Sequence, residues 1–390
     1  MRADKEPFSL YIHIPYCISK CPYCDFNSHV VAEIPEKSYT QALIGELDYY
    51  LGVPDDWCGR PVQSIFFGGG TPSTFHPQNI GKLLEHIAGQ VPLLRNCEIT
   101  LEANPGTVDR ENFYGYRKYG VNRISIGVQS FQPRLLQFLG RVHSADEAKR
   151  ALDVVRAAGF DNFSLDLIYA NPGQTLEDLT DDLETALNFE SPHLSAYNLT
   201  IEEGTPFDHE YRRGRMKLLN EEEEIAMAEL IESRLTSAGL ERYEISNYAR
   251  HGFQSRHNVN YWRGGDYLGI GAGAHSYRRG TGDGAYGHRW WNEKSPARYM
   301  SKIEASGNAV MEREQTDLEK AAGEFMFSGL RLMDGICLEA FVRRFGKSAL
   351  EVYPQISDWV REGFMETDGN RLRLTHRGVM VANSIFVHFV

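Results

Sequence analysis

Three cysteines fall within eight residues, in Cys17-Ile-Ser-Lys-Cys21-Pro-Tyr-Cys24. Thiolates are the natural ligands of iron–sulfur clusters. A four-iron cluster usually takes four of them, so three leave one iron open to chelate a small molecule. Zinc is the rival: a structural zinc site closes with four nitrogen or sulfur ligands. His13 or His29 is near enough in the sequence to be the fourth. The other cysteines, Cys58, Cys97 and Cys337, are scattered and read as ordinary buried or partly buried thiols. A disulfide framework would be spread more evenly, and it belongs in a small secreted chain.

Something must present those thiols. The first half of the chain alternates short β-like runs with amphipathic helical stretches. The strands are expected near residues 9–14, 64–67, 98–102, 123–128, 162–166 and 193–198. The helices are expected near 38–51, 78–89, 110–119, 145–158 and 176–189. Such alternation means βαβ units and a parallel sheet. Six strands of this kind suggest a barrel or partial barrel, whose site is built by the loops after the strands. The polar and glycine-rich text falls at those strand ends. The cysteines follow the first strand, and Gly68-Gly69-Gly70-Thr71-Pro72 follows the second. Glu102, Gln129 and Asp166 close the third, fourth and fifth. The triple glycine is expected to let backbone approach a ligand closely.

Beyond about residue 210 the pattern changes. Glu221–Glu224 opens a helix running to about Ala238, its acidic start matched to the helix dipole. A glycine- and aromatic-rich stretch follows, from Asn247 to Trp291. Later the chain is helical again and ends on a hairpin signal, Asp368-Gly369, between strands expected at 364–367 and 371–374. Helices followed by a hairpin suggest a small winged-helix-like domain. Gly269-Ile-Gly271-Ala-Gly273-Ala-His275 is not a dinucleotide motif, because no βαβ unit with a downstream acid surrounds it. His275 reads as a hydrogen-bonded structural histidine.

Charge argues against a nucleic-acid reader. Lys and Arg number 41 against 53 Asp and Glu, a net of −12, and phosphate binding needs a basic surface. No signal peptide is visible, and no run of about 18 apolar residues exists to span a membrane. The expected location is the cytoplasm, with peripheral membrane contact left open.

The C-x3-C-x2-C spacing, after a first strand and before an aromatic, resembles the radical S-adenosylmethionine superfamily. In that superfamily the open iron binds the amino and carboxylate groups of the cofactor, which a reduced cluster cleaves to a 5′-deoxyadenosyl radical. The resemblance implies a 4Fe-4S cluster on Cys17, Cys21 and Cys24. It also implies an electron donor and a partial (β/α)6 barrel. Tyr11-Ile-His-Ile-Pro-Tyr-Cys17, Gly68–Pro72, Glu102-Ala-Asn-Pro-Gly106, Ser125-Ile-Gly-Val-Gln129-Ser-Phe131, Leu139-Gly-Arg141 and Asp166-Leu-Ile are similar to its coproporphyrinogen dehydrogenase-like branch. By that likeness Tyr11, Tyr23, Gly70, Thr71, Glu102, Gln129, Arg141 and Asp166 would contact S-adenosylmethionine. Carboxylates suit ribose hydroxyls and Arg suits a carboxylate.

Within the branch, Cys24-Asp-Phe26-Asn-Ser-His29 and His257-Asn-Val-Asn-Tyr-Trp262 resemble the HemW-type heme chaperones. Heme would then be a further cofactor, with His257 as its ligand and His275 a weaker candidate for a second, and heme-acceptor proteins would be the partners. Histidine is a common axial ligand of heme iron, and Tyr261 and Trp262 offer flat faces to a macrocycle. The alternative is an oxygen-independent coproporphyrinogen III dehydrogenase. That enzyme's pattern carries a fourth cysteine where this chain has Phe26, and a longer N-terminal extension. Whether S-adenosylmethionine is cleaved in the normal work is left open. The expected domains are a core barrel over 1–210, a helix plus connecting segment with the heme motif over 211–312, and a C-terminal domain over 313–390. One departure follows Asp166: Tyr169-Ala170-Asn171-Pro172 replaces the branch's Gly-Leu before that proline, and Asn171 tolerates unusual backbone angles better than most residues.

Overall fold

Runs of apolar residues buried on both faces are what a parallel sheet covered by helices demands, and the first strand is such a run. In the computed structural model, which describes residues 5–53, 57–280 and 286–389, β1 (Phe8–Ile14) is buried at all positions but Tyr11. It is followed by β2 (Val62–Gly69), β3 (Leu93–Ala103), β4 (Arg123–Gln129), β5 (Phe163–Tyr169) and β6 (His193–Asn198). The six pair in chain order, all parallel. The connections are the helices Glu36–Leu51, Pro77–Gln90, Arg110–Lys118, Ala145–Ala157 and Leu176–Leu187, with a short helix Pro133–Phe138 between β4 and Ala145. Helix starts are written locally. Ser144 with Glu147, and Thr175 with Asp178, form capping boxes that satisfy otherwise orphan backbone donors.

The six expected strands and five expected helices are therefore present, and the architecture is a partial (β/α)6 barrel. The residues between 241 and 316 extend its sheet on both edges. β7 (Glu241–Glu244) and β8 (Asn247–Ala249) add antiparallel beyond β6. β9 (Tyr267–Ile270) lies parallel to β1, and β10 (His275–Arg279), β11 (Gly287–Asn292) and β12 (Val310–Thr316) continue outward from it, antiparallel. One apolar core runs from Phe8 to Ala309. A second, from Ala321 to Phe389, belongs to a C-terminal unit. There helices surround a three-stranded antiparallel sheet of Ile336–Cys337, Met365–Asp368 and Arg371–Leu374, so the hairpin at Gly369 is present. Among the described residues no helix is long and apolar enough to cross a membrane.

One expectation fails locally. Cys58 is exposed, whereas Cys97 is buried and Cys337 half-buried. In the loop after β5 the positive φ, 60°, falls on Ala170 and not on Asn171. Asn171 is fully buried and closes the turn, donating from Nδ2 to the Ile168 carbonyl at 2.8 Å.

Candidate functional site

The carboxyl ends of β1 to β5 open on one cavity of about 400 Å³. Cys17, Cys21, Cys24, Tyr23, Gly70, Thr71, Glu102, Gln129, Arg141 and Asp166 all line it. Of the expected site residues, the structure thus brings together every one except Tyr11 and His257.

The cysteine loop is held by backbone. The Gly70 amide donates to the Ile14 carbonyl at 2.8 Å and the Thr71 amide to the Tyr16 carbonyl at 2.7 Å. A Cβ on Gly70 would lie 2.6 Å from the Tyr16 oxygen, and one on Gly69, whose φ is +109°, would lie within the His13 ring. The glycines therefore make room for the strand and loop that carry the thiols. Gly69 and Gly70 also line the cavity, so the same backbone faces the space where a ligand would sit.

A polar chain then runs around the rim. Thr71 Oγ1 donates to the Cys17 sulfur at 3.4 Å and accepts from Asn104 Nδ2 at 2.8 Å. Asn104 Oδ1 accepts from Arg141 Nη2, which also donates to the Gly127 carbonyl at 2.9 Å. Arg141 Nη1 reaches the Cys21 sulfur and the Tyr23 hydroxyl, each at 3.4 Å. Asn104 was not singled out from the sequence, although it lies in the Glu102–Gly106 motif. Only its position between Thr71 and Arg141 reveals the role.

Opposite the thiols stand two carboxylates. Burial, and then the charge of Asp166, push the Glu102 carboxyl up to about 8. The Gly69 amide donates to it at 3.3 Å. Asp166 is also raised by burial, and it accepts from Ser125 at 2.9 Å and Ser164 at 3.2 Å. Gln129 sits at φ 68°, a conformation costly for a residue with a side chain. The turn is fixed by Asp182, which accepts from the Ser130 hydroxyl at 2.6 Å and the Phe131 amide at 2.7 Å. Asp182 belongs to the helix Leu176–Leu187, far from any motif, and gave no sequence signal.

Tyr11 is turned away. Its hydroxyl meets His13 Nδ1 at 2.9 Å, and it lines a neighbouring cavity with Tyr261 and His275. His257 is deeper still. It lies 1% exposed on a short helix, Arg256–Trp262, that packs against β2. Its Nδ1 bonds Ser64 at 3.0 Å, its Nε2 bonds Tyr261 at 2.8 Å, and its ring stacks on Phe66. Burial holds it neutral, down to about 3. Both ring nitrogens are thus engaged within the protein, and His257 lies apart from the thiol cavity. Trp262 of the same motif lies under the Arg331 guanidinium, 4.4 Å away, tying the barrel to the C-terminal unit.

The donor set fits an iron–sulfur cluster: three cysteines line one cavity, and thiolates are the ligands such clusters take.

Comparison with known proteins agrees with this geometry. Residues 11–186 match the radical SAM superfamily model and residues 316–381 the HemN C-terminal domain. The chain is 40% identical over 390 residues to the heme chaperone HemW of Haemophilus influenzae, covering 98% of each. It is 38% identical over 388 residues to that of Escherichia coli, again covering 98% of each. For Bacillus subtilis the figure is 35% over 387 residues, covering 98% of this chain and 99% of the relative. Among solved structures, coproporphyrinogen III oxidase (HemN) from Escherichia coli, a radical SAM enzyme, superposes with a TM-score of 0.81 at 21% identity. The match covers 100% of this chain and 91% of that one.

Proposed function

The chain belongs to the HemW heme-chaperone family of the radical SAM superfamily, and from that premise we propose that it binds heme and delivers it to heme-requiring proteins. It does so carrying a 4Fe-4S cluster and S-adenosylmethionine. The observation that carries the reading is likeness to heme chaperones from end to end, through both the barrel and the C-terminal unit.

Cys17, Cys21 and Cys24 would hold the cluster, which when bound supplies an open iron and an electron. The protein's own groups position the second cofactor. Arg141, fixed by Asn104 and the Gly127 carbonyl, offers a guanidinium of set direction, which suits a carboxylate. Glu102 and Asp166 suit ribose hydroxyls, and a protonated Glu102 can donate as well as accept. Thr71 and the Tyr23 backbone bracket the thiols. Heme-acceptor proteins and an electron donor complete the set of partners.

The test is an anaerobic hemin titration of the cluster-reconstituted protein, followed at the Soret band, and then addition of an apo-heme protein. Saturable binding near one heme per chain, followed by transfer, supports the proposal. No saturable binding, together with conversion of coproporphyrinogen to protoporphyrinogen, would replace it with the dehydrogenase.

A further inference from the structure

We propose that heme sits in the second cavity, with His275 as the ligand of its iron; this rests on the heme-chaperone reading above. The cavity holds about 640 Å³, within the range of about 300–1,000 Å³ typical of cofactor sites. It is a neighbour of the thiol cavity, and Lys20 and Phe26 line both.

The two histidines differ in how the fold holds them. His257 is buried with both nitrogens bonded. His275, expected to be structural, is exposed at the start of β10. Its ring stacks on Trp291, with centroids 5.5 Å apart and planes 18° from parallel, and makes no hydrogen bond among the described residues. Partial burial, with Arg289 and Lys294 nearby, lowers its affinity for a proton. A neutral imidazole is the form that binds a metal.

The walls suit the rest of a heme. Phe26 is 60% exposed, an aromatic face turned to solvent that the fold does not need. It stands where the related enzyme pattern has a cysteine. Tyr261 and Tyr267 add flat apolar surface. Lys20 and Lys294, both exposed, give two cations for two carboxylates, against one acid, Asp25, on the same wall. His29 also lines the cavity, but its Nε2 is engaged by Asn27 Oδ1 at 3.2 Å.

The experiment uses the full chain with its cluster reconstituted, titrated anaerobically with hemin as wild type, His275→Ala and the double variant Lys20→Glu/Lys294→Glu. Iron and sulfide per chain report that each variant is intact. His275→Ala is expected to weaken binding by about tenfold or more and to move the Soret band. The double variant is expected to weaken binding with the band unmoved. Wild-type affinity and spectrum in His275→Ala would overturn this site while leaving the heme-chaperone reading intact. Failure of the wild type itself to bind saturably would overturn that reading.

Discussion

The Arg141 guanidinium donates from Nη1 to the Cys21 sulfur at 3.4 Å. That contact, with the bonds to Asn104 and the Gly127 carbonyl, fixes the guanidinium at the rim of the thiol cavity. The same cation faces the space where an anionic ligand group would enter. Arg141→Ala should weaken S-adenosylmethionine binding by about ten- to a hundredfold, as a charged hydrogen bond of about 1.5–3 kcal/mol implies. Arg141→Lys should restore little, since Lys lacks the planar fork that Asn104 and Gly127 hold. Titration of the cofactor against the spectrum of the reduced cluster measures both.

Gly70→Ala tests how the cysteine loop is held. The new methyl would meet the Tyr16 backbone at 2.6 and 2.8 Å, and backbone cannot step aside as a flexible side chain can. The expected cost is about 1–3 kcal/mol, with the loop displaced. Iron and sulfide bound per chain after reconstitution should fall well below wild type, and thermal melts should give the stability change.

Glu102 makes a pH-dependent contribution to stability. Its folded value is about 8, against about 4.3 in an unfolded chain. The folded state therefore holds more protons between those values, and stability falls as pH rises through that window. Glu46, at about 7, and Asp182, at about 6, act in the same direction, so the informative quantity is the difference from Glu102→Gln. That variant should lose less stability than wild type between pH 5 and pH 8, by on the order of 2 kcal/mol. Urea denaturation of the cluster-free protein at a series of pH values measures it.

His257→Ala should act as a core substitution. It removes a ring stacked on Phe66 with centroids 4.9 Å apart and strands the Tyr261 hydroxyl, while Ser64 keeps its bond to Ser9. A loss of about 2–4 kcal/mol is expected. The Soret band of heme bound to the folded variant should match wild type. A band shifted as by loss of the iron ligand would return His257 to that role.

What the sequence reveals follows the range of the interactions involved. Six strands and five helices are legible because each carries its own period. The cysteine loop is legible because three thiols in eight residues leave few alternatives. The helix Arg256–Trp262 has only seven residues, too few for a period, so its aromatic–histidine text looks like a ligand-binding loop when it fills the barrel. His257 and His275 cannot be told apart by type. Their difference is made by Ser64, 193 positions away in the chain, which takes up a nitrogen of the first. The edge strands β7, β8 and β9 have only three or four residues, and the pairing of β8 with β6 and of β9 with β1 joins distant parts of the chain.

The most direct test of the account is the electron paramagnetic resonance spectrum of the reduced, reconstituted protein with and without S-adenosylmethionine. An iron left open by three cysteines should take up the cofactor and shift the cluster's signal. Cys17→Ala, Cys21→Ala and Cys24→Ala should each abolish that signal. A cluster spectrum indifferent to saturating cofactor, or one surviving loss of any of the three thiols, would contradict it.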